Sequence, residues 1–364
     1  MKILDRGIIH RNPDTFFAHC GWPTVCKDED GTLYAVASGS RAAHICPFGK
    51  TLLWKSTDEG KSWSLPMIVN DTWLDDRDAG IISLGGKRLL VSWFTHSASA
   101  YETRWHDYIL KAWPGTESVL KMYASLPEEK RQGGSYIRIS EDGGFSFGET
   151  VKVPVSAPHG PIQLKDGSLL YAGKRMYSGP DETGEEPADY KANAMEVWKG
   201  TPDGKNWTKL AKLDPPEGTT LANFHELHAI ELESGRILCV IRAQGAEVAH
   251  GFTMYQTFSD DGGVTWSPLS CIGVSGSPPH LMMHSSGALV LSFGRREEPY
   301  GERALISRDN GVTWDEECVL CEVSPRDLGY PASVELRDGS ILTVYYQAWE
   351  DDPFASLLYT RWTL

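Results

Sequence analysis

Basic side chains follow a series of short apolar segments in this 364-residue sequence. The residues concerned are Arg41, His96, Lys174, Arg175, Arg242, Arg295 and Arg296. Guanidinium groups bind planar carboxylates through paired hydrogen bonds, and imidazoles transfer protons near neutral pH. If the segments end at one place in the fold, these side chains form a basic site on a chain whose formal net charge is −14. Such a local field indicates an anionic ligand.

A second set of polar side chains lies where neighbouring apolar segments begin. The set consists of Arg77, Asp78, His159, His225, Glu226, His228, His280 and Tyr330. Carboxylates, imidazoles and phenols are the groups that act as acids, bases and nucleophiles in enzymes. We therefore expect both sets to meet at one site, provided that the segments are strands whose ends converge.

The elements that bring them together are repeats. A motif of the form Ser-x-Asp-x-Gly-x-(Thr/Ser)-Trp begins at Ser56, Ser259 and Ser307. A variant at Ser140 ends in Phe, and a shortened copy begins at Thr201. In each copy the Asp accepts hydrogen bonds from the backbone of a tight turn, and Gly supplies a residue with positive φ. The aromatic residue then returns on the next strand and packs between sheets.

A second repeat alternates with the first and predicts the inner hairpin of each unit. Its six copies cover residues 23–38, 79–94, 160–174, 228–242, 280–294 and 332–347. Each copy is an apolar strand, a polar or Gly-rich turn and a second apolar strand. Two hairpins make a four-stranded sheet, and six such sheets close radially, so we predict an all-β fold, a six-bladed β-propeller. Residues 357–364 and a strand over residues 2–10 would complete the sixth blade, which lacks the Asp motif.

Two insertions interrupt this rhythm within a single domain that spans residues 1–364. Residues 97–134 include a helical pattern, and residues 178–194 are rich in Gly, Pro and acidic residues. Both follow the second strand of a blade, which ends on the face where the inner strands begin. We therefore expect both insertions on the same face as the polar residues, where loops on a rigid scaffold carry function.

The five turn motifs resemble the Asp-box of the sialidase superfamily, and this resemblance covers nearly the whole chain. It implies a glycosidase with a Tyr nucleophile, a Glu that activates it, an Asp acid/base and an Arg triad for the sugar carboxylate. The segment GYPAS is similar to the one that carries the Tyr, here Tyr330, and HELHAIEL to the one that carries the Glu, here Glu226. Arg242 matches the second Arg of the triad and Arg303 could match the third.

The sequence departs from the sialidase pattern in two places. Trp22-Pro23-Thr24 stands where the resemblance requires Arg-Ile-Pro, and the loop after Arg41 contains no carboxylate for the acid/base role. His44 in that loop, or Asp78 from the next blade, is expected to protonate the leaving group. The substrate that fits best is therefore an acidic sugar, either sialic-acid-like or a uronic or deoxy sugar acid. We expect it to contact Arg41, Arg77, His159, His228, Arg242, His280, Arg295 and Arg303.

Two other functions remain open at this stage. A polysaccharide lyase or an unusual glycosidase, such as an L-rhamnosidase-like enzyme, would use the axial imidazoles of His159, His225, His228 and His280. A propeller that binds carbohydrate without catalysis would explain the two departures from the sialidase pattern.

The composition of the chain restricts the classes of molecule that it is expected to bind. The acidic net charge argues against nucleic acid and against an anionic membrane surface as partners. The first residues lack the apolar region of a signal peptide, and the seven Cys are scattered as in a reduced protein, so we expect a cytoplasmic location. Neither a metal-binding pattern nor a cofactor motif stands out, and a carbohydrate is the expected partner.

Overall fold

The computed structural model of the protein describes residues 1–112, 115–175, 193–323 and 327–364. Within these residues the chain forms six four-stranded antiparallel sheets. Neighbouring sheets pack against one another through their inner hairpins, so the sheets are arranged as blades around a common axis. The predicted all-β, six-bladed propeller is thus confirmed.

The strands follow the chain from the inside of each blade to the outside. Strand β1 (Lys2–His10) belongs to blade six, and blade one contains β2 (His19–Lys27), β3 (Leu33–Arg41), β4 (Lys50–Ser56) and β5 (Met67–Asn70). Blade two contains β6 (Asp76–Ser83), β7 (Leu89–Thr95), β8 (Gly134–Ser140) and β9 (Val151–Val153). Blade three contains β10 (Ile162–Gln163), β11 (Leu169–Lys174), β12 (Met195–Gly200) and β13 (Trp207–Leu213).

The remaining blades repeat this order. Blade four contains β14 (Phe224–Glu231), β15 (Ile237–Gln244), β16 (Phe252–Ser259) and β17 (Ser270–Cys271). Blade five contains β18 (His280–Met283), β19 (Leu289–Arg295), β20 (Gly301–Ser307) and β21 (Glu316–Glu322). Blade six contains β22 (Gly329–Glu335), β23 (Ile341–Ala348) and β24 (Ala355–Thr363), with β1 as its outermost strand. The 3₁₀ helices Leu221–Asn223 and Ala249–Gly251 precede β14 and β16.

Blade six closes the ring with strands from both ends of the sequence. Strand β1 pairs antiparallel with β24, from Lys2 opposite Thr363 to His10 opposite Leu357. This closure is the one that the repeat pattern predicts.

The Asp-box turns have the hydrogen bonds expected of them. In blade one, the backbone N–H of Ser62 donates to Asp58 Oδ1 at 2.9 Å, and Gly60 has a φ of 84°. The Trp63 indole N–H donates back to Gly60 O at 3.1 Å, and the ring packs against the apolar cluster between blades one and six. In the same way Trp266 packs between blades four and three. These aromatic residues therefore fill the wedges between neighbouring blades.

The described part of residues 97–134 contains four short helices. They are α1 (Ala98–Glu102), α2 (His106–Ala112), α3 (Thr116–Ser125) and α4 (Glu128–Arg131). Tyr101, Ile109 and Tyr123 pack with Leu74 in a small apolar core of their own. The Tyr101 hydroxyl donates to Asp75 Oδ2 at 2.8 Å, which fixes the insertion to the start of blade two.

The second insertion, residues 178–194, lies outside the described residues apart from its last two positions. None of the helices in the described part of the chain is long and apolar enough to cross a membrane.

Candidate active site

A cavity of about 250 Å³, which we call the mouth, opens where the inner strands begin. Blades one, two, four and six each contribute the start of an inner strand, and the helical insertion contributes Arg104. The lining residues are Trp22, His44, Arg77, Asp78, Phe94, His96, Arg104, Ser156, Ala157, Pro158, Lys174, His225, Glu226, Arg242, Gln244 and Tyr330.

A local irregularity in strand pairing directs the side chains into the mouth. The inner hairpins of blades one, two, four and six each lose regular register over the two residues that include Trp22, Asp78, Glu226 and Tyr330. Trp22, Asp78 and Tyr330 also have positive φ values of 54°, 48° and 54°. Positive φ is uncommon for residues with a side chain and concentrates at functional sites. A register shift combined with a residue of positive φ thus occurs at equivalent positions in blades one, two and six.

Tyr330, Glu226 and Arg242 form one hydrogen-bonded group across the axis. The Tyr330 hydroxyl donates to Glu226 Oε1, and Arg242 Nη1 donates to Glu226 Oε2 at 2.5 Å. Arg242 Nη1 also lies 3.1 Å from the Tyr330 oxygen, while its Nη2 donates to Gln244 at 2.6 Å. Burial, followed by the Glu226 charge, raises the pKa of Tyr330 well above its ordinary value. The phenol therefore keeps its proton in the free protein and has a carboxylate placed to accept it.

Asp78 provides a second carboxyl group in the mouth. Burial, which is the largest cause, and the Glu226 charge raise its pKa to about 7, although the guanidinium of Arg77 opposes the shift. At neutral pH Asp78 is therefore divided between its protonated and ionised forms. A carboxyl in that condition suits both the donation and the acceptance of a proton.

Trp22, which stands in place of the expected Arg, is held by two guanidinium groups. The Cζ atoms of Arg77 and Arg41 lie 4.2 and 4.7 Å from the centre of its ring. Asp75 accepts hydrogen bonds from both arginines, at 3.1 Å from Arg77 Nη1 and 2.8 Å from Arg41 Nη2. Arg77 lines the mouth, whereas Arg41 is fully buried behind it. Arg77 thus restores, from the next blade, a positive charge that the Trp22 position lacks.

His44 lines the mouth beside Trp22, at 4.9 Å between ring centres. Its Nδ1 bonds to Asp327 Oδ2 at 2.7 Å, and the other oxygen of Asp327 accepts from the Tyr346 hydroxyl at 2.7 Å. These bonds offset the burial of Asp327 and keep the pKa of its carboxyl below the ordinary value. A carboxylate that binds one ring nitrogen fixes the orientation of the imidazole.

Two arginines predicted to bind substrate lie outside the mouth. Arg303, on the third strand of blade five, is buried and donates to the carbonyls of Cys321 at 2.7 Å and Pro299 at 3.0 Å. Arg295 pairs with Glu297 at 3.1 Å. The prediction that both residues line the mouth was therefore wrong. The side chain of Arg303 runs into the blade, and the side chain of Arg295 does not line the cavity. The next residue, Arg296, stacks over Phe252 at 5.6 Å, beside Arg242 at 4.7 Å from the same ring.

The predicted placement of His159, His228 and His280 at the mouth was also wrong. Their rings contact one another at the axis, 4.6 to 5.5 Å between centres, and line a separate cavity formed by the later parts of the inner strands. His228 Nδ1 accepts from the Leu281 N–H at 2.9 Å and His280 Nδ1 from the Ser333 N–H at 3.2 Å. Burial lowers the pKa of all three. They are neutral groups that join neighbouring blades below the site.

Two other residues at the site carried no signal in the sequence. Arg104 lines the mouth from the helical insertion, and Asp327, which binds His44 behind the lining, precedes β22 outside any repeat. Lys174 was recognised as a strand end, but its ammonium group donates to the carbonyls of Leu221 at 2.7 Å and Phe224 at 2.5 Å. It therefore positions the start of β14, the strand that carries Glu226.

Comparisons with known proteins agree with this architecture. The profile of the family described as "BNR repeat-like domain" matches residues 92–344, which is more than half of the chain. A search of curated proteins found no match. A solved structure of a protein of unknown function from Dyadobacter fermentans is similar over 100% of this chain and 99% of its own, with 20% identity and a TM-score of 0.76.

Two sialidase structures are also similar. The NanB sialidase of Streptococcus pneumoniae matches 98% of this chain and 70% of its own, with 14% identity and a TM-score of 0.68. The intramolecular trans-sialidase of Ruminococcus gnavus matches 98% of this chain and 97% of its own, with 16% identity and a TM-score of 0.63. At such identities the likeness concerns the fold. The family match shows that this chain belongs to the BNR repeat-like family, and the structural matches show that its propeller has the same fold as these sialidases.

Proposed function

We propose that this protein is a glycoside hydrolase that releases an acidic sugar from the end of a glycan. The hydrogen bond between Tyr330 and Glu226 inside the mouth is the observation that carries the proposal. A buried phenol bonded to a carboxylate is a nucleophile joined to its base. Because the phenol is neutral, it approaches an anionic sugar without the repulsion that a second carboxylate would exert.

The first chemical step forms a covalent intermediate. The Tyr330 oxygen attacks the anomeric carbon while Glu226 takes the phenolic proton. As the bond to the leaving oxygen breaks, protonated Asp78 gives its proton to that oxygen. The raised pKa of Asp78, to about 7, supports this assignment, because the acid must carry a proton at the pH of the reaction.

The second step returns the enzyme to its starting state. Water attacks the same carbon, ionised Asp78 accepts a proton from the water, and the Tyr330 oxygen leaves and recovers its proton from Glu226. Two displacements at one carbon retain the anomeric configuration. Nuclear magnetic resonance of the first-formed product tests this point directly.

Basic groups around the mouth favour an anionic sugar. Arg77, Arg104 and Arg242 line the cavity, and Arg296 lies beside Arg242. Sugars with a carboxylate are therefore the proposed substrates, among them sialic acids, other deoxy sugar acids and uronic acids. Trp22 replaces the first Arg of the sialidase triad, so the proposal covers all three classes of sugar acid and not sialic acids alone.

Two alternatives to this mechanism and one alternative to catalysis have to be considered. His44, which Asp327 holds in place, is the second candidate for the acid. A chemistry based on the four axial histidines has little support from the geometry, because His159, His228 and His280 do not line the mouth and only His225 does. Aryl glycosides of sialic, deoxy sugar and uronic acids should be screened with the wild-type protein and the Tyr330→Phe variant. Binding of an acidic sugar without release of the aryl group by either protein would favour a non-catalytic carbohydrate-binding propeller.

A further inference from the structure

A second cavity, of about 520 Å³, opens on the same face of the propeller as the mouth. We call it the outer cavity. His10 at the end of β1, His19 at the start of β2 and Lys50 at the start of β4 line it, and these strand ends all lie on the mouth face. His19 also separates the two cavities, because its Nε2 lies 3.5 Å from Asp327, the residue that binds His44 of the mouth.

Exposed aromatic rings form part of the outer cavity. Trp73 is 53% exposed and Phe17 is 38% exposed, and both line it. The Phe17 ring packs at 5.4 Å against Phe48, a third lining residue, in an edge-on arrangement. Large aromatic side chains are ordinarily buried, so a group of them around an open cavity marks a binding surface. Their flat apolar faces match the C–H face of a pyranose ring.

Polar side chains lie among these rings. Lys50 forms an ion pair with Asp71, and Asn12, Thr15, Ser40 and Thr72 contribute further polar groups. The charges of Lys50 and Asp71 cancel. Burial lowers the pKa of His10, and it lowers the pKa of His19 to about 3, so both imidazoles are neutral at pH 7.

The lining is therefore rich in hydrogen-bonding groups but has no net charge, in contrast to the basic mouth. A cavity of this size, with apolar walls and a few polar groups, has the form of a small-molecule site. A protein partner would require a much larger surface.

We infer that the outer cavity is a second carbohydrate site, which binds a neutral pyranose unit between Trp73, Phe17 and the Lys50–Asp71 pair. The inference rests on the proposed function in one respect, since the bound unit would be a further part of the glycan whose acidic unit enters the mouth. The cavity then selects glycans by a unit that takes no part in the chemistry.

Saturation-transfer nuclear magnetic resonance with lactose, maltose and cellobiose tests the inference on the whole protein. We expect transfer to the ring protons of at least one of these neutral disaccharides. Trp73→Ala should weaken that binding by ~10-fold or more, because it removes the most exposed ring of the site. Phe145→Ala is the matched control: Phe145 is 74% exposed and belongs to the Asp-box turn of blade two, on the opposite face.

Two results would overturn the inference. One is the absence of transfer to all three disaccharides, and the other is binding that Trp73→Ala leaves unchanged. The proposed function is tested apart from it with an aryl glycoside, whose small leaving group has no pyranose for the outer cavity. Trp73→Ala should leave hydrolysis of that compound unchanged; a loss like that of Tyr330→Phe would place Trp73 in the mouth and refute a separate site.

Discussion

The Tyr330 hydroxyl donates a hydrogen bond to Glu226 across the axis of the propeller, from blade six to blade four, although 104 positions separate the two residues in the sequence. Arg242 donates to the same carboxylate, so the three side chains act as one unit. Changes within such a unit are not additive. The predictions for Tyr330 and Arg242 below therefore each compare a variant of the unit with a variant outside it.

Removal of the Tyr330 oxygen should stop turnover and leave binding intact. For Tyr330→Phe we expect kcat to fall by at least ~10³-fold, as for the loss of a nucleophile, while the Kd of an acidic sugar changes by less than ~3-fold. Tyr345→Phe is the control, because this buried Tyr of the same blade bonds to Thr360 and does not line the mouth. Activity that survives Tyr330→Phe would exclude the Tyr mechanism.

The pH dependence of the reaction should follow Asp78. Because the acid must be protonated and its pKa is raised to about 7, kcat/KM should decrease as the pH rises through about 7. Asp78→Asn should remove this decrease and lower kcat by ~10²-fold or more. The measurement is a pH–rate profile for both proteins with a substrate whose leaving group needs protonation.

A comparison with His44 decides between the two candidate acids. If Asp78 is the acid, His44→Gln should lower kcat by less than ~10-fold, and Asp327→Asn should have a similar, small effect. If His44 is the acid, both of these variants should lose ~10²-fold or more and Asp78→Asn should retain activity. All three variants are measured with a substrate whose leaving group needs protonation, as in the pH–rate profile.

The Asp78 carboxyl should also make stability depend on pH. Its pKa is above the ordinary value in the folded state, so the folded protein binds more protons than the unfolded chain between about pH 4 and 7. The free energy of unfolding should therefore decrease as the pH rises through this window. Asp78→Asn should be more stable than the wild type at pH 8, by on the order of 1 kcal/mol, and similar to it at pH 4. Urea unfolding at the two pH values provides the comparison.

Recognition of the carboxylate should depend on Arg242 and not on Arg303. Arg242→Lys loses the paired geometry of the guanidinium and should raise KM for an acidic sugar by ~10-fold or more. Arg303→Lys should leave KM unchanged and lower only thermal stability, since Arg303 bonds to backbone carbonyls inside blade five. Equal effects on KM would contradict the positions found for the two residues.

The sequence was a good guide to the scaffold because its motifs are local. The turn at Asp58 and Gly60 is specified by a few adjacent residues, and the six copies of the inner-hairpin repeat fix the number of blades. Tyr330 and Glu226 could be found because each begins an inner strand. The order of the strands could not show which of Arg295 and Arg296 lies beside Arg242, because the side chains of consecutive residues in a strand point to opposite faces.

Two residues of the site that lie outside the strands, Arg104 and Asp327, were beyond prediction. Asp327 acts through a tertiary contact with His44, at a separation of 283 residues, and no repeat predicts it. The axial histidines were misplaced for a different reason: a polar residue near the start of a strand lies in the mouth or below it according to the depth at which the strand begins. His280 is the first residue of the short strand β18 and already lies below the mouth.

Among the described strands, β1 pairs only with β24, so blade six is complete only when these two segments from opposite ends of the sequence have met. During synthesis β1 therefore cannot pair until residues 355–363 have been made. Tyr330 belongs to this blade, so its hydrogen bond to Glu226 joins the blade that contains β1 and β24 to blade four. A fusion or proteolytic cut that detached β1 would leave β24 as an open sheet edge, which is prone to intermolecular pairing.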